Sequence, residues 1–323
     1  MIDFRYHLVS LVSVFLALAV GIVLGAGPLK ESIGDTLSEQ VNSLRSDRDT
    51  LRDDLDRAST ALAHRDEFIS AVSPQLVANQ LGGRTVVLVS LPGSLADDVE
   101  PLTEALTQAG ATVTGRVSVQ EAWNDPAREA EREALVTRLT TLVGPGTDSA
   151  QQTLESLLAR ALVTDDLAAS GVVSPVGSAL LDSLSEAGLV KVDDAPTGRA
   201  TEAVLLAPAM PTAAQSSPSP TLTQQVEADV SAWSSLALAL DTASDGSVAY
   251  GPASAAGQGG VIEKIRSDSS VAQNVSTVDT GGTSMGAPTT VLALSEQLRE
   301  EAGAYGFGPG AKSPLPETNE ETP

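Results

Sequence analysis

The chain has 323 residues, no cysteine and a formal net charge of −23 at pH 7. Without cysteine it can form neither disulfides nor thiolate metal sites, and a cysteine nucleophile is excluded. The acidic balance excludes a general affinity for nucleic acid, because the sequence has no basic stripe to neutralise phosphates. The length fits one or two globular domains with a core of ordinary size.

The first predicted element is a transmembrane anchor over residues 1–27. The stretch Tyr6–Ala26 has no acid or base except His7, and roughly 20 residues suffice for a helix to cross the hydrocarbon core of a bilayer. Arg5 precedes this stretch and acidic residues follow it, which predicts a cytoplasmic N-terminus and an extracytoplasmic location for residues 28–323. The small residues near its end are also typical of a cleaved signal peptide, but the length of the apolar run favours an anchor.

Residues 28–73 are predicted to form a coiled-coil stalk. An unbroken 4-3 spacing predicts a left-handed coiled coil, in which Arg48 and Arg65 lower stability and set register or partner choice. Ser73-Pro74 is expected to end the helix, because proline cannot continue it. The alternative is an amphipathic helix lying on its own domain, although the narrow apolar stripe favours a coiled-coil seam. The ten seam positions are Leu37, Val41, Leu44, Arg48, Leu51, Leu55, Ala58, Leu62, Arg65 and Ile69.

Residues 80–306 are predicted to form an α/β domain. Short apolar runs alternate with helical patterns, which indicates a parallel sheet covered on both faces in a Rossmann-like or flavodoxin-like arrangement. The Pro- and Ser-rich segment 208–220 is expected to be an exposed loop, and residues 307–323 a disordered acidic tail. The predicted strands are 84–91, 111–119, 202–207, 247–250 and 274–278; the predicted helices are 94–108, 126–142, 148–162, 175–187, 223–240, 261–266 and 289–301.

A segment near the last predicted helix resembles the nucleophile segment of subtilisin-like proteases. It reads GTSMG over residues 282–286, with Ser284 in the nucleophile position. Such a serine needs a histidine base nearby, but His7 lies in the apolar stretch and His64 on the stalk. A subtilisin-like hydrolase is therefore a remote alternative, and no catalytic residue is assigned. We interpret the segment as a tight strand-to-helix loop whose glycines permit positive φ; these are Gly281, Gly282 and Gly286.

Other candidate sites are weak. The loops that follow the predicted strands meet at one edge of the sheet, where such sheets bind ligands. The first predicted strand is not followed by the G-x-G-x-x-G fingerprint of dinucleotide-binding proteins, and Leu91-Pro92-Gly93-Ser94 is a weak substitute for it. Asp97 and Asp98 follow it and are expected to interact with a helix dipole more than with a metal. Together with Met285 they are the weak metal candidates, and no cofactor is predicted.

Several parts of the chain together resemble the mycobacterial copper transport protein B family of actinobacteria. They are the opening MIDFRYHLVSLVSVFLALAVGIVLGAGPL, the leucine heptads, the strand RTVVLVSLPG and the ending from VSTVDT to AYGFGPGA, so the resemblance runs from Met1 to Gly310. It implies a single-pass envelope protein linked to copper homeostasis or efflux and described as an outer-membrane copper pore. It also implies an alternative role as a membrane partner that controls a septal peptidoglycan hydrolase in cell separation.

The residues themselves favour a scaffold. Copper(I) prefers thiolate and thioether ligands and copper(II) takes imidazole, whereas the chain has three methionines and no histidine in the α/β domain. A pore through an outer membrane needs a closed barrel of amphipathic strands, whereas the strands here read as buried and are separated by helices. We therefore predict a non-enzymatic extracytoplasmic scaffold that associates through its stalk with a second copy or a partner protein. Copper is implied by resemblance alone.

Overall fold

The structure is a computed structural model and describes residues 4–26, 28–143, 152–210 and 220–317. The chain divides into two compact units, residues 1–65 and residues 66–323. The sequence-predicted loop 208–220 therefore lies largely outside the described residues, as does the end of the predicted tail.

The first unit contains two helices, α1 (Phe4–Ala26) and most of α2 (Pro28–Val77). Within α1, the 20 residues Phe4–Val23 are long and apolar enough to cross a membrane, and no part of this stretch is buried in the protein. The apolar seam residues of α2 from Leu37 to Leu62 are exposed as well. This unit consequently has no hydrophobic core of its own among the residues that the structure describes.

The helix α2 does not end at Ser73-Pro74, where the sequence predicts its end, but continues to Val77. Proline lacks an N–H and so removes one helical hydrogen bond. That loss falls close to the terminus, where the Ser73 hydroxyl donates to the carbonyl of Ile69 at 2.6 Å. Val77 is fully buried in the core of the second unit, and we infer that this burial offsets the lost bond.

The second unit is built on one seven-stranded sheet. The strands are β1 (Thr85–Ser90), β2 (Thr112–Val119), β3 (Val190–Asp194), β4 (Glu202–Leu206), β5 (Ser247–Tyr250), β6 (Ser276–Val278) and β7 (Ala304–Tyr305). They lie in the order β3-β2-β1-β4-β5-β6-β7. All neighbours are parallel except β3, which runs antiparallel to β2. The structure therefore confirms the α/β class and the parallel-dominated sheet.

Helices connect most of the strands. They are α3 (Val99–Gln108), α4 (Glu129–Val143), α5 (Leu154–Leu162), α6 (Pro175–Glu186), α7 (Pro220–Thr242), α8 (Val261–Ser267), α9 (Ser269–Ala272) and α10 (Gly286–Gln297). Several begin at a side-chain cap that satisfies an otherwise unpaired backbone N–H. Ser174, for example, accepts from the Gly177 amide at 3.1 Å at the start of α6, where Pro175 takes the first helical position.

Helices cover both faces of the sheet, and alternate residues of each strand point to opposite faces. In β1, Val87 and Val89 belong to a core formed with α4 to α9, whereas Val86 and Leu88 belong to a second core formed with α3, α10 and the end of α2. The carboxyl ends of the parallel strands meet at one edge of the sheet. At that edge the loop after β1 lies between those of β2 and β4, where the strand order reverses.

Candidate functional site

The loops after β1, β4, β5 and β6 meet at the carboxyl edge of the sheet and are tied to one another by backbone contacts. Ser94, after β1, forms an antiparallel bridge with Pro208, after β4. The Gly281 amide, after β6, donates to the carbonyl of Gly251 at 2.8 Å. These contacts hold the loops together at the edge where a sheet of this kind commonly receives a ligand.

The glycine-rich loop between β6 and α10 is held by a buried carboxylate. The backbone N–H of Gly282 donates to both oxygens of Asp98, at 2.9 and 3.1 Å. Asp98 is buried, and Tyr250 lies beside it. Burial, and then the neighbouring Asp98 carboxylate, raise the pKa of Tyr250 above its ordinary value. Asp98 thus anchors the loop to the segment that follows β1.

Only one of the three glycines predicted to need positive φ adopts it. Gly282 has a φ of 75°, whereas Gly281 and Gly286 are absent from the left-handed region. These two are required for close packing instead. A Cβ on Gly281 would lie 2.5 Å from the carbonyl carbon of Gly251, and one on Gly286 would lie 2.7 Å from the carbonyl oxygen of Thr280.

The weak metal candidates do not form a copper site. Asp97 is exposed, Asp98 uses both carboxylate oxygens on the Gly282 amide, and Met285 is half-buried at the start of α10. Within the described ranges, no three His, Cys, Asp or Glu side chains converge into a group that could hold a metal ion. Hard carboxylate oxygens with one thioether are a poor match for copper(I). Asp97, Asp98 and Met285 therefore do not fit a resident copper ion.

Ser284, the serine of the protease-like segment, is hydrogen-bonded to a carboxylate. The Ser284 hydroxyl donates to Asp66 Oδ1 of α2 at 2.7 Å. His64 is exposed and belongs to the first unit, and His7 lies in α1. A carboxylate that accepts directly from the serine is not the serine–histidine pair that an acyl-transfer nucleophile uses. The bond joins the glycine-rich loop to the last turns of α2.

A buried ion pair lies behind this loop and was not anticipated from the sequence. Asp279 directly follows β6 and has a fully buried side chain, and Arg266 Nη1 of α8 lies 2.8 Å from its Oδ2. The amides of Phe307 and Gly308 donate to the same carboxylate at 2.8 and 3.0 Å. Two backbone donors and one guanidinium thus compensate the buried negative charge.

Arg266 extends this network along the C-terminal segment. Its guanidinium donates to Thr277 Oγ1 at 2.9 Å and to the carbonyls of Tyr305 and Pro309 at 2.9 and 2.8 Å. Gly306 adopts a φ of 125°, and a Cβ there would lie 1.9 Å from Asp279 Oδ1. The YGFG sequence therefore has a structural explanation. Residues 307–313, which the sequence assigns to a disordered tail, are hydrogen-bonded to the domain as far as Ser313, whose carbonyl accepts from the Gly306 amide.

Of two other carboxyl groups with a raised pKa in the second unit, Glu202 is buried and Asp241 is half-buried. Glu202, at the start of β4, is fully buried and neither of its oxygens has a hydrogen-bond partner. Burial raises its pKa to about 8, although Arg84 acts in the opposite direction. Arg84 is paired with Asp245. Burial likewise raises the pKa of Asp241 to about 7, against hydrogen bonds from Ser247 that lower it.

The stalk exposes a row of large apolar side chains. Leu44, Leu51 and Leu55 are each 68% exposed. The 4-3 spacing continues after Ile69 with Val72 and Leu76, at intervals of 3 and 4, and both are exposed. Leu76 lies beyond the predicted end of the stalk. This apolar seam of α2 has the pattern of a coiled-coil surface and is without a partner among the described residues.

Comparisons with known proteins match this chain to one family over nearly its whole length. The family described as "Copper transport outer membrane protein, MctB" matches residues 1–316. Proteins named copper transporter MctB from Mycobacterium tuberculosis and Mycobacterium bovis are each 29% identical over 324 residues, covering 97% of this chain and 98% of the relative. The protein of that name from Mycobacterium leprae is 27% identical over 323 residues with the same coverage.

Proposed function

We propose, from the premise that this chain belongs to the MctB family of copper transport proteins, that it serves copper handling in the cell envelope as a non-enzymatic scaffold anchored in the membrane. The exposed apolar seam of α2 is the observation that carries this proposal. Family membership supports a copper-related envelope role. The seam supports the way in which the chain performs that role, which is by associating with other proteins.

The anchor is α1, with the second unit outside the cytoplasmic membrane. Arg5 before the span and the acidic residues after it support this orientation. Protease added to spheroplasts is expected to digest the second unit while a cytoplasmic marker stays intact. Complete protection from an active protease would contradict the orientation. A mature chain that lacks residues 1–26 would instead identify α1 as a cleaved signal peptide.

The seam of α2 pairs with another helix. In its heptads Leu37, Leu44 and Leu51 occupy d positions, with Val41, Leu55, Leu62 and Ile69 among the a positions. Leucine at d with β-branched residues at some a positions is compatible with a parallel two-stranded coiled coil. Two copies anchored in one membrane run parallel, and Asp47 at g then faces Arg52 at e of the other copy. A second copy is therefore the first candidate for the partner.

Removing the stalk tests whether association is the function. The full chain and a variant without residues 30–70 are expressed with the same affinity tag, and their partners are captured from membranes. Partner proteins, including an untagged second copy of the chain, are expected to be captured only by the full chain. A peptidoglycan hydrolase in that set would favour the septal role, whereas copper-transporting proteins would favour the copper role. Equal capture by the full chain and the shortened variant would contradict a scaffold that acts through its stalk.

Copper is handled by the proteins that the scaffold gathers, and the chain itself does not retain the ion. The absence of cysteine and the scarcity of methionine support this division of labour, because copper(I) selects sulfur ligands. Equilibrium dialysis of the detergent-solubilised chain against copper(I) and copper(II) is expected to leave less than one ion per chain. Stoichiometric retention that disappears in Met285→Leu would overturn this part of the proposal.

The chain acts without catalysis. The hydrogen bond from Ser284 to Asp66 supports a structural role for the protease-like loop. A serine-directed phosphonate is therefore expected to leave the chain unlabelled. Labelling that is lost in Ser284→Ala would revive the hydrolase alternative. We further propose that the sheet order β3-β2-β1-β4-β5-β6 makes the second unit a Rossmann-like domain, used here as a rigid support.

A further inference from the structure

A cleft with positive charge lies on the surface of this acidic protein, beside the segment that follows β2. It has a volume of about 470 Å³ and lies between α4 and the loop that follows α6. The residues that line it are Arg128, Glu131, Arg132, Ala134, Leu135, Arg138, Ala187 and Leu189. Three guanidinium groups thus share the cleft with one carboxylate, in a chain whose net charge is −23.

The spacing of α4 produces this clustering. Arg128 precedes the helix, and Arg132, Leu135 and Arg138 follow at intervals of 4, 3 and 3 residues. Residues three and four apart lie on the same face of a helix. Leu135 and Leu189 are buried at the floor of the cleft, so the arginines surround an apolar base.

Of the three arginines, only Arg128 is paired with a carboxylate among the described residues. Arg128 donates to Glu131 at 2.9 Å and to the carbonyl of Ala187 at 2.9 Å. Arg132 donates to the carbonyls of Ala122 and Asp125, which carry no charge. Arg138 is exposed and has no carboxylate within 4.0 Å in the parts of the chain that the structure describes. These hydrogen bonds fix Arg128 and Arg132 in place, whereas the guanidinium of Arg138 is exposed to solvent.

We infer that this cleft binds a small organic anion that combines a phosphate or carboxylate head with an apolar body. Guanidinium groups bind both heads through paired hydrogen bonds, and these charge-assisted bonds are stronger than neutral ones. The volume lies in the range of small-molecule sites, and an apolar floor with a few charged groups is their usual composition. The apolar body lies on Leu135 and Leu189, with the head between Arg132 and Arg138.

Calorimetry with the full chain in nanodiscs tests this inference. The probes are phenyl phosphate and benzoate, which carry head and body, inorganic phosphate, which carries the head alone, and benzyl alcohol, which carries the body alone. Empty nanodiscs correct for partitioning into lipid. Saturable binding of one phenyl phosphate or benzoate per chain is expected, weaker binding of inorganic phosphate, and none of benzyl alcohol. Salt at about 0.5 M is expected to weaken binding by screening the charges.

The variant Arg138→Gln is expected to weaken binding about tenfold, the loss of one charge-assisted contact, without changing thermal unfolding. Arg299→Gln is the matched control, because Arg299 is an exposed arginine two residues after α10, a helix that packs on the opposite face of the sheet. The inference is overturned if neither head-and-body probe binds saturably, if inorganic phosphate binds as tightly as phenyl phosphate, or if both variants weaken binding equally.

Discussion

The stalk exposes its leucine side chains, whereas the α/β domain buries its own. Leu51 and Leu55 of the stalk are each 68% exposed, whereas Leu88 and Leu102 of the domain are fully buried. Fully burying a leucine is worth roughly 1.5–3 kcal/mol. The domain obtains this stabilisation within one chain because helices cover both faces of its sheet. The stalk obtains it only by pairing with another helix.

The largest effect is expected from introducing charges on the seam of the stalk. Leu51→Asp combined with Leu55→Asp is expected to abolish association of the full chain, because pairing would have to desolvate two carboxylates. Light scattering in detergent and partner capture from membranes measure the loss. Ser46→Asp with Thr60→Asp adds the same charge at outward heptad positions and should leave association intact. Unchanged mass and capture in the seam variant would show that the stalk is not an association surface.

The domain is expected to depend on its buried ion pair. Asp279→Ala leaves the Arg266 guanidinium buried without a countercharge and should cost about 3–5 kcal/mol of unfolding free energy. Asp194→Ala breaks the exposed pair with Arg116 and should cost about 0–1 kcal/mol. Urea unfolding of the detergent-solubilised chain gives both values. Similar losses in the two variants would mean that burial of the first pair contributes little.

Glycine substitutions sharpen the role of the C-terminal segment. Gly306→Ala combines a φ of 125° with a Cβ position 1.9 Å from Asp279 Oδ1. It should therefore destabilise the domain by at least about 2–3 kcal/mol. Gly171→Ala has a φ of 68° but nothing within 4 Å of the new Cβ, so only the backbone strain of about 1 kcal/mol is expected. The difference between their urea midpoints measures the steric contribution, and equal midpoints would exclude it.

The pH dependence of stability provides the mildest test. Because the folded pKa of Glu202 is about 8 against an ordinary 4.5, the folded state holds this proton more tightly. Its contribution is fully present below pH 4.5 and is lost as the pH rises through 8. Glu202→Gln should therefore reduce the fall in stability over this range, with part remaining because Asp241 titrates near pH 7. Exposed Glu100→Gln is the control, and identical slopes in all three proteins would contradict the shift.

The sequence predicts those features that depend on local pattern. Continuous apolar runs such as the one that becomes β1 predict buried parallel strands, and the five predicted strands match β1, β2, β4, β5 and β6. The edge strand β3 escapes prediction because VKVDD has two apolar residues among charges and is stabilised by its pairing with β2. The two-residue β7 is too short to leave a pattern, since its place is fixed by contacts with β6.

The candidate site is harder to predict, because its contacts join distant residues. Nothing local links Asp98 to Gly282, which are 184 residues apart in sequence, or Ser284 to Asp66, which are 218 apart. The sequence contains one signal of the ion pair between Arg266 and Asp279, which is an acidic residue directly after a buried strand. The arginine cleft likewise shows a 4-3-3 spacing, but its partner, the loop at Ala187, becomes visible only in the folded chain.

Single cysteines test most directly whether the seam is covered in the cell. The chain has no native cysteine, so each introduced thiol reports on one position. Leu44→Cys, Leu51→Cys and Leu55→Cys probe the seam, whereas Ser46→Cys, Asp53→Cys and Thr60→Cys probe outward positions. In spheroplasts, a membrane-impermeant maleimide is expected to label the outward cysteines quickly and the seam cysteines slowly, with a disulfide-linked dimer from Leu44→Cys if the partner is a second copy. Equally fast labelling at all six positions would contradict association through the stalk.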